Sequence, residues 1–298
     1  ALRRAGIAQI TQFVWDRGAV GMRENPAGMR AVVYGGLGLT ALAWGIDLLL
    51  GYGIGWVDIS SLILFQGLWI SGITAALLLN VSFLATLDGE MKGSLGAANL
   101  ISLARVGLLP TLSSAILRER WTEAILFYVV LALSDVADGI IARRSKGETR
   151  LGFILDPVAD VLFHLVVFLS LHARGWIGTV TIALVLARYA LLLAGSVVLL
   201  YVRGRIWIKP TPFGRATGVI FGAATAYLLL AALLGWTGPT VRIADWVIAA
   251  LFAAGLIHVM IIGWINFRRP RRVGYGDWRS WGLPLGRSRG RPRKEDES

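Results

Sequence analysis

An all-α polytopic membrane protein is the fold class this sequence predicts, on three observations. Hydrophobic residues fill 56% of the 298 positions, and charged residues only 16%. Mean hydropathy is +0.65, whereas soluble globular chains lie near ~45–50% apolar and ~25% charged. Apolar runs of about 20 residues, the length that crosses a ~30 Å hydrocarbon core, recur along most of the chain. A soluble protein is excluded on this composition, and with no cysteine so are disulfides and thiol catalysis.

The elements follow in chain order. Residues 1–29 hold Arg3, Arg4, Arg17 and Arg23 but no uninterrupted apolar core with a small-residue cleavage site. They read as a cytoplasmic or interfacial segment, an amphipathic helix lying on the membrane, and no signal peptide is expected. Within 30–90 two additional transmembrane helices are predicted near 30–52 and 61–87. Within 91–266 six more are predicted near 98–116, 122–143, 153–172, 177–202, 215–235 and 242–266. The tail, 267–298, is rich in Arg, Gly, Pro and Ser and reads as a basic, disordered cytoplasmic extension.

Charge sets the expected orientation. Arg143, Arg144, Lys146 and Arg150 crowd one connection, Arg203, Arg205, Lys209 and Arg215 another, and both termini are basic; the alternate connections hold few cations. By the positive-inside rule both termini and the 143–152 connection face the cytoplasm. The net charge of +12 then belongs mainly to one membrane face, where anionic lipids attract it; nucleic-acid binding by the tail is the rival reading, and no nucleic-acid partner is expected.

Against this apolar background the stretch DVADGIIARRSKGETRLGFILDPVAD carries Asp135, Asp138, Asp156 and Asp160. Asp135 and Asp138 are three apart near the end of the fourth span, Asp156 and Asp160 four apart near the start of the fifth, so each pair shares a helical face. The short basic connection predicts an antiparallel helix pair with all four carboxylates facing one another, about one to two turns inside the boundary. Intramembrane carboxylates are costly, roughly 2.5–3.5 kcal/mol each on insertion scales, and a cluster repels itself. A hard divalent cation offsets both, and two ions suit four carboxylates better than one. The plainer reading pairs the acids with Arg143, Arg144 or Arg150. Gly139, Ala142 and Gly152 lie in register with the acids and would let a flat ligand approach the backbone, although small residues in membranes also serve helix packing.

The run Asp135-x2-Asp138-Gly139-x2-Ala142-Arg143-x8-Gly152-x3-Asp156-x3-Asp160 matches in every defined position and gap the signature of the CDP-alcohol phosphotransferase family, which the chain therefore resembles. Asn99, Ser102 and Arg105 are similar to the Asn-x-x-Thr/Ser-x-x-Arg start of that family's first helix. The resemblance implies a six-helix catalytic membrane domain over 91–266 that transfers a substituted phosphate, typically phosphatidyl, from a CDP-linked lipid donor to an alcohol and releases CMP. It implies metal ligation by Asp135, Asp138, Asp156 and Asp160 to Mg²⁺ or Mn²⁺, two ions in all, with Asp160 also the general base. Gly139, Ala142 and Gly152 would line the cytidine site, with Arg143 at the loop or donor phosphates. A homodimer is also implied. The two extra helices and the tail lie outside the resemblance.

Cations hint at the acceptor. Arg105, Arg188, Lys209 and Arg215 are expected at or near the cytoplasmic ends of core spans, where they suit a phosphorylated alcohol such as glycerol 3-phosphate or an inositol phosphate. Positive-inside bias explains Lys209 equally well; Arg188 interrupts an apolar helix. His164 falls on the acid face, either tuning the base or serving as a hydrogen-bonded structural histidine. LDPVAD resembles the version in glycerophosphate and cardiolipin-type members, which usually place Lys where Val161 stands. Glycerol 3-phosphate leads, with inositol phosphate, a second lipid alcohol, serine and choline behind it. A divalent-cation or proton transporter is the alternative from another class, because acids inside a helical bundle also mark such carriers.

Overall fold

The computed structural model describes residues 7–54, 59–86, 90–145, 149–203 and 212–268. Ten α-helices fill them: α1 Ile7–Glu24, α2 Pro26–Ile54, α3 Ile59–Leu79, α4 Ala97–Gly107, α5 Leu109–Leu117, α6 Trp121–Ser145, α7 Arg150–Ala173, α8 Thr179–Arg203, α9 Pro212–Leu233 and α10 Pro239–Arg268. Backbone polar groups cannot be left bare in hydrocarbon, so a chain this apolar closes its hydrogen bonds within helices.

Among the described residues seven spans are long and apolar enough to cross a membrane: α2, α3, the α4–α5 pair, α7, α8, α9 and α10. The eighth expected span is α6, 25 residues long. Glu123, Asp135, Asp138, Arg143 and Arg144 along it set it apart in composition. The chain is thus an all-α, multi-pass integral membrane protein. The span expected to run to 87 stops at Leu79. Asn80 begins a 3₁₀ turn over Val81–Phe83, after which Ala85 bridges Met91, and Thr86 bridges Thr149.

The span Ala97–Leu117 sits at the centre, two thirds buried where α2, α3 and α8 are mostly exposed. It breaks at Leu108: Pro110 enters the first turn of α5 and has no N–H to give the Val106 carbonyl. α4 packs on both α6 and α7, and so does α5; α9 closes on α6, and α10 on α8 and α9. The expected pairing of α6 with α7 is looser than their short connection suggests. Few backbone contacts join those two, since α4 and α5 lie against both, yet they touch through Tyr128 of α6 and Phe163 of α7, whose rings stack with centres 5.5 Å apart. The wedge of α4 brings its own polar side chains to each, Arg105 to Asp135 and Ser102 to Asp156.

On the other side α2 and α3 pack together and lean on α4 and α5, while α1 lies against α3 and the 3₁₀ turn. Asn25 joins α1 to α2: its Oδ1 accepts the Gly28 N–H at 2.8 Å, and its Nδ2 donates to the Lys92 carbonyl at 2.9 Å.

Candidate active site

The site forms where α4, α6, α7, α8 and α9 converge. The start of α7, ahead of its aspartates, is organised by Thr149, the N-cap, whose hydroxyl accepts the Gly152 N–H at 3.0 Å and thus satisfies a first-turn donor. Asn99 on α4 donates its Nδ2 to the same hydroxyl at 3.0 Å and to the Leu95 carbonyl at 2.7 Å. The start of α7 is thereby tied to α4. A Cβ on Gly152 would stand 2.8 Å from Asn99 Oδ1, so glycine is required by the close approach of the two helices.

Each described aspartate has a neighbour of matching chemistry. Asp135 pairs with the Arg105 guanidinium, whose side chain is 2% exposed while the carboxylate is 54% exposed. Asp156 accepts the Ser102 hydroxyl at 3.1 Å. Asp160 is met by His164, whose Nδ1 is 2.8 Å from the Asp160 carbonyl and 3.3 Å from Oδ1. Ser102 and Arg105 are consecutive-turn residues of α4, so the wedge helix serves Asp135 on α6 and Asp156 on α7 at once. A buried arginine is tolerable only with such a partner, and removing the carboxylate would leave an uncompensated charge.

Asp135, Asp160, Arg105, Arg188 and His164 all line one cavity of about 360 Å³. Arg188 crosses it from α8 with its Cζ 5.8, 5.6 and 5.3 Å from the ring centres of Tyr189, Phe221 and Phe252. Aromatic faces hold a guanidinium without neutralising it. Its buried Nε has no hydrogen-bond partner among the described residues, so the group retains donor capacity. Phe163, Phe168, Tyr189 and Phe221 surround the His164 ring, which fixes its orientation.

Of the residues singled out in the sequence, the structure brings together Asp135, Asp160, Arg105, Arg188 and His164, with Asp156 one turn before Asp160 on α7. Gly152 lies in the first turn of α7 against Asn99, and is not among the residues lining the cavity. Asp138, Gly139, Ala142 and Arg143 continue α6 and Arg215 lies in α9, but their side chains, like Lys209 altogether, fall outside the described residues. No group of three or more carboxylate or imidazole side chains close enough to hold an ion occurs among the described residues. The donor chemistry nonetheless fits a hard divalent cation: carboxylate oxygens from two helices, exposed at Asp135, Asp156 and Asp160. Sequence reading missed the aromatic ring around Arg188 and the Tyr128, Thr217 and Gly222 edge contributed by α6 and α9, because no local spacing connects residues so far apart.

The fold and the cavity define a membrane-embedded site in which carboxylates and guanidinium groups share one polar pocket between helices. The profile of the CDP-alcohol phosphatidyltransferase family matches residues 95–263. The chain belongs to that family. It is 31% identical over 121 residues to the CDP-diacylglycerol–glycerol-3-phosphate 3-phosphatidyltransferase of Aquifex aeolicus, covering 40% of this chain and 67% of that protein. It is 34% identical over 115 residues to the CMP-forming cardiolipin synthase of Rattus norvegicus, covering 38% of this chain and 36% of that one. It is 35% identical over 135 residues to a putative cardiolipin synthase of Mycobacterium tuberculosis, covering 44% and 63%. The chain thus spans between about a third and two thirds of these relatives. No solved structure matches it.

Proposed function

We propose that the protein transfers a phosphatidyl group from CDP-diacylglycerol to the hydroxyl of a phosphorylated polyol, glycerol 3-phosphate foremost, and releases CMP. The observation that carries this reading is the shared cavity, lined together by Asp135, Asp160, Arg105 and Arg188. Acids alone would suit a cation carrier. Acids facing an arginine with a spare buried donor suit a reaction among phosphates. The activities for which the relatives are named, one a glycerol-3-phosphate phosphatidyltransferase and others cardiolipin synthases, support the reaction class. They also make a lipid alcohol the second acceptor to try.

In this reading the acceptor oxygen attacks the phosphorus that bears the diacylglycerol. The bond from that phosphorus to the bridging oxygen breaks, the oxygen leaves with CMP, and the acceptor's proton passes to the Asp160 carboxylate. His164, bonded to the Asp160 backbone and carboxylate, orients that base. Arg188 holds the acceptor's phosphate, with Lys209 and Arg215 contributing cations from the same end, while Arg105 steadies Asp135. Gly139, Ala142, Arg143 and Gly152 form the donor's nucleotide end. Asp135, Asp138, Asp156 and Asp160 would hold two Mg²⁺ or Mn²⁺ ions, which when bound neutralise the diphosphate and polarise the phosphorus.

The catalytic domain is residues 91–266, working as a homodimer with the site and both termini at the cytoplasmic face, where the basic connections lie. The experiment is CMP release by the purified chain with CDP-diacylglycerol, Mg²⁺ or Mn²⁺, and a panel of glycerol 3-phosphate, inositol phosphate, phosphatidylglycerol, serine and choline. Asp160→Asn is expected to abolish release, and EDTA to do so reversibly. Release that survives either treatment would sink the mechanism. No release with any acceptor, together with divalent-cation flux into proteoliposomes, would replace the enzyme by a carrier.

A further inference from the structure

The helices ahead of the family match converge on one place. Gln66, fully buried on α3, donates Nε2–H to the Gly107 carbonyl at 2.6 Å. Trp69, one turn on, donates Nε1–H to the Val106 carbonyl at 2.8 Å. Asp47 of α2, also fully buried, accepts the Thr111 hydroxyl at 2.8 Å. All three contacts fall within residues 106–111, the break between α4 and α5. By contrast, the hydroxyls of Thr40 on α2 and Thr74 on α3 bond within their own helices.

The break explains why donors are wanted there. Pro110 leaves the Val106 carbonyl without its helical N–H, and inside a membrane no water replaces it. Helices broken by proline are stable in lipid when neighbouring helices satisfy the freed carbonyls, which Trp69 does directly. Arg105 immediately precedes these two carbonyls. Its guanidinium, buried and aimed at Asp135, depends on the rotation of the last turn of α4, because successive residues of a helix point about 100° apart. A turn whose carbonyls are held from α3 cannot rotate, so Arg105 stays on Asp135.

We propose that Gln66 and Trp69 are positioning residues for the transfer reaction: by capping the broken central helix they hold Arg105 at Asp135, making the N-terminal helices part of the active-site scaffold. The proposal rests on the reading of the site given above. The two donors are removed in a Gln66→Leu/Trp69→Phe variant of the full chain, which keeps an apolar side chain at the first position and an aromatic ring at the second. CMP release should fall about 10- to 100-fold in kcat, the loss that a displaced site group brings, while donor KM stays near its original value. In an Arg105→Lys background the same substitutions should cause no further fall, since groups acting through one residue are not additive. An equal fall in both backgrounds, or none in the unsubstituted one, overturns the proposal.

A second readout needs no activity. The chain has no cysteine, so Arg105→Cys/Asp135→Cys introduces one defined thiol pair, and a short bifunctional maleimide reports how α4 faces α6. Adding Gln66→Leu/Trp69→Phe should slow that cross-link severalfold, and an unchanged rate refutes the positioning. Absence of CMP release from the unsubstituted chain would refute the reaction instead, and the cross-linking rate would still decide whether the two donors hold residue 105 at residue 135.

Discussion

Replacing Gly152 by alanine separates a packing role from a nucleotide-binding one. The added Cβ would meet Asn99 Oδ1 at 2.8 Å and Thr149 Oγ1 at 3.4 Å. Asn99 is 5% exposed and already spends its Nδ2 on the Leu95 carbonyl and the Thr149 hydroxyl, so it cannot retreat without breaking one of those bonds. Losing one costs about 1 kcal/mol, and leaving a buried polar group unsatisfied about 1–3 kcal/mol more. Alanine's better helix propensity returns at most about 1 kcal/mol, leaving a net loss of about 1–3 kcal/mol. Unfolding by SDS titration in mixed micelles, with no substrate present, should show that loss. In an Asn99→Ala background the obstacle is gone, and Gly152→Ala should cost little. An equal penalty in both backgrounds would refute the reasoning. An unchanged unfolding midpoint with a raised KM for CDP-diacylglycerol would give Gly152 to the nucleotide instead.

Two further outcomes are expected. Arg188→Ala should raise KM for glycerol 3-phosphate about 10- to 100-fold, the worth of a charge-assisted hydrogen bond, with donor KM nearly unchanged; an equal loss with serine or choline as acceptor would show that Arg188 does not read a phosphate. Asp245→Ala should lower stability by about 1–2 kcal/mol, because its carboxylate accepts the Thr181 hydroxyl at 2.6 Å and the Gly178 N–H at 3.2 Å at the start of α8. Asp245 is not among the residues lining the cavity, so the kcat of the folded fraction should hold, and a large fall in kcat would contradict this placement.

The helices were legible because a membrane imposes one solution on an apolar run, and seven of the eight predicted spans meet the apolar criterion directly. Arg105 and Arg188 were legible for the opposite reason: a cation inside an apolar stretch needs a purpose. What those cations touch was not readable. Arg105 meets Asp135 thirty residues away through the wedge of α4, and the rings around Arg188 come from α8, α9 and α10. Chain proximity suggested that α6 and α7 pair, but spacing did not show that they would meet through Tyr128 and Phe163 with α4 and α5 packed against both. Gly107 and Pro110 stood in plain view within the third span, but that their break would be served by Gln66 and Trp69 depends on tertiary packing alone.

The acids that distinguish α6 also bear on how the protein is made. A segment carrying Asp135 and Asp138 is a poor candidate for insertion on its own, since each carboxylate weighs against leaving the translocation machinery for lipid. Synthesis runs from the N-terminus, so α4 and α5 are already available when α6 emerges, and Arg105 stands ready to neutralise Asp135. α9, the other helix that packs on α6, arrives only later. The ion pair lining the cavity thus doubles as a membrane-entry device: the carboxylate of α6 is admitted to the bilayer by a partner delivered ahead of it.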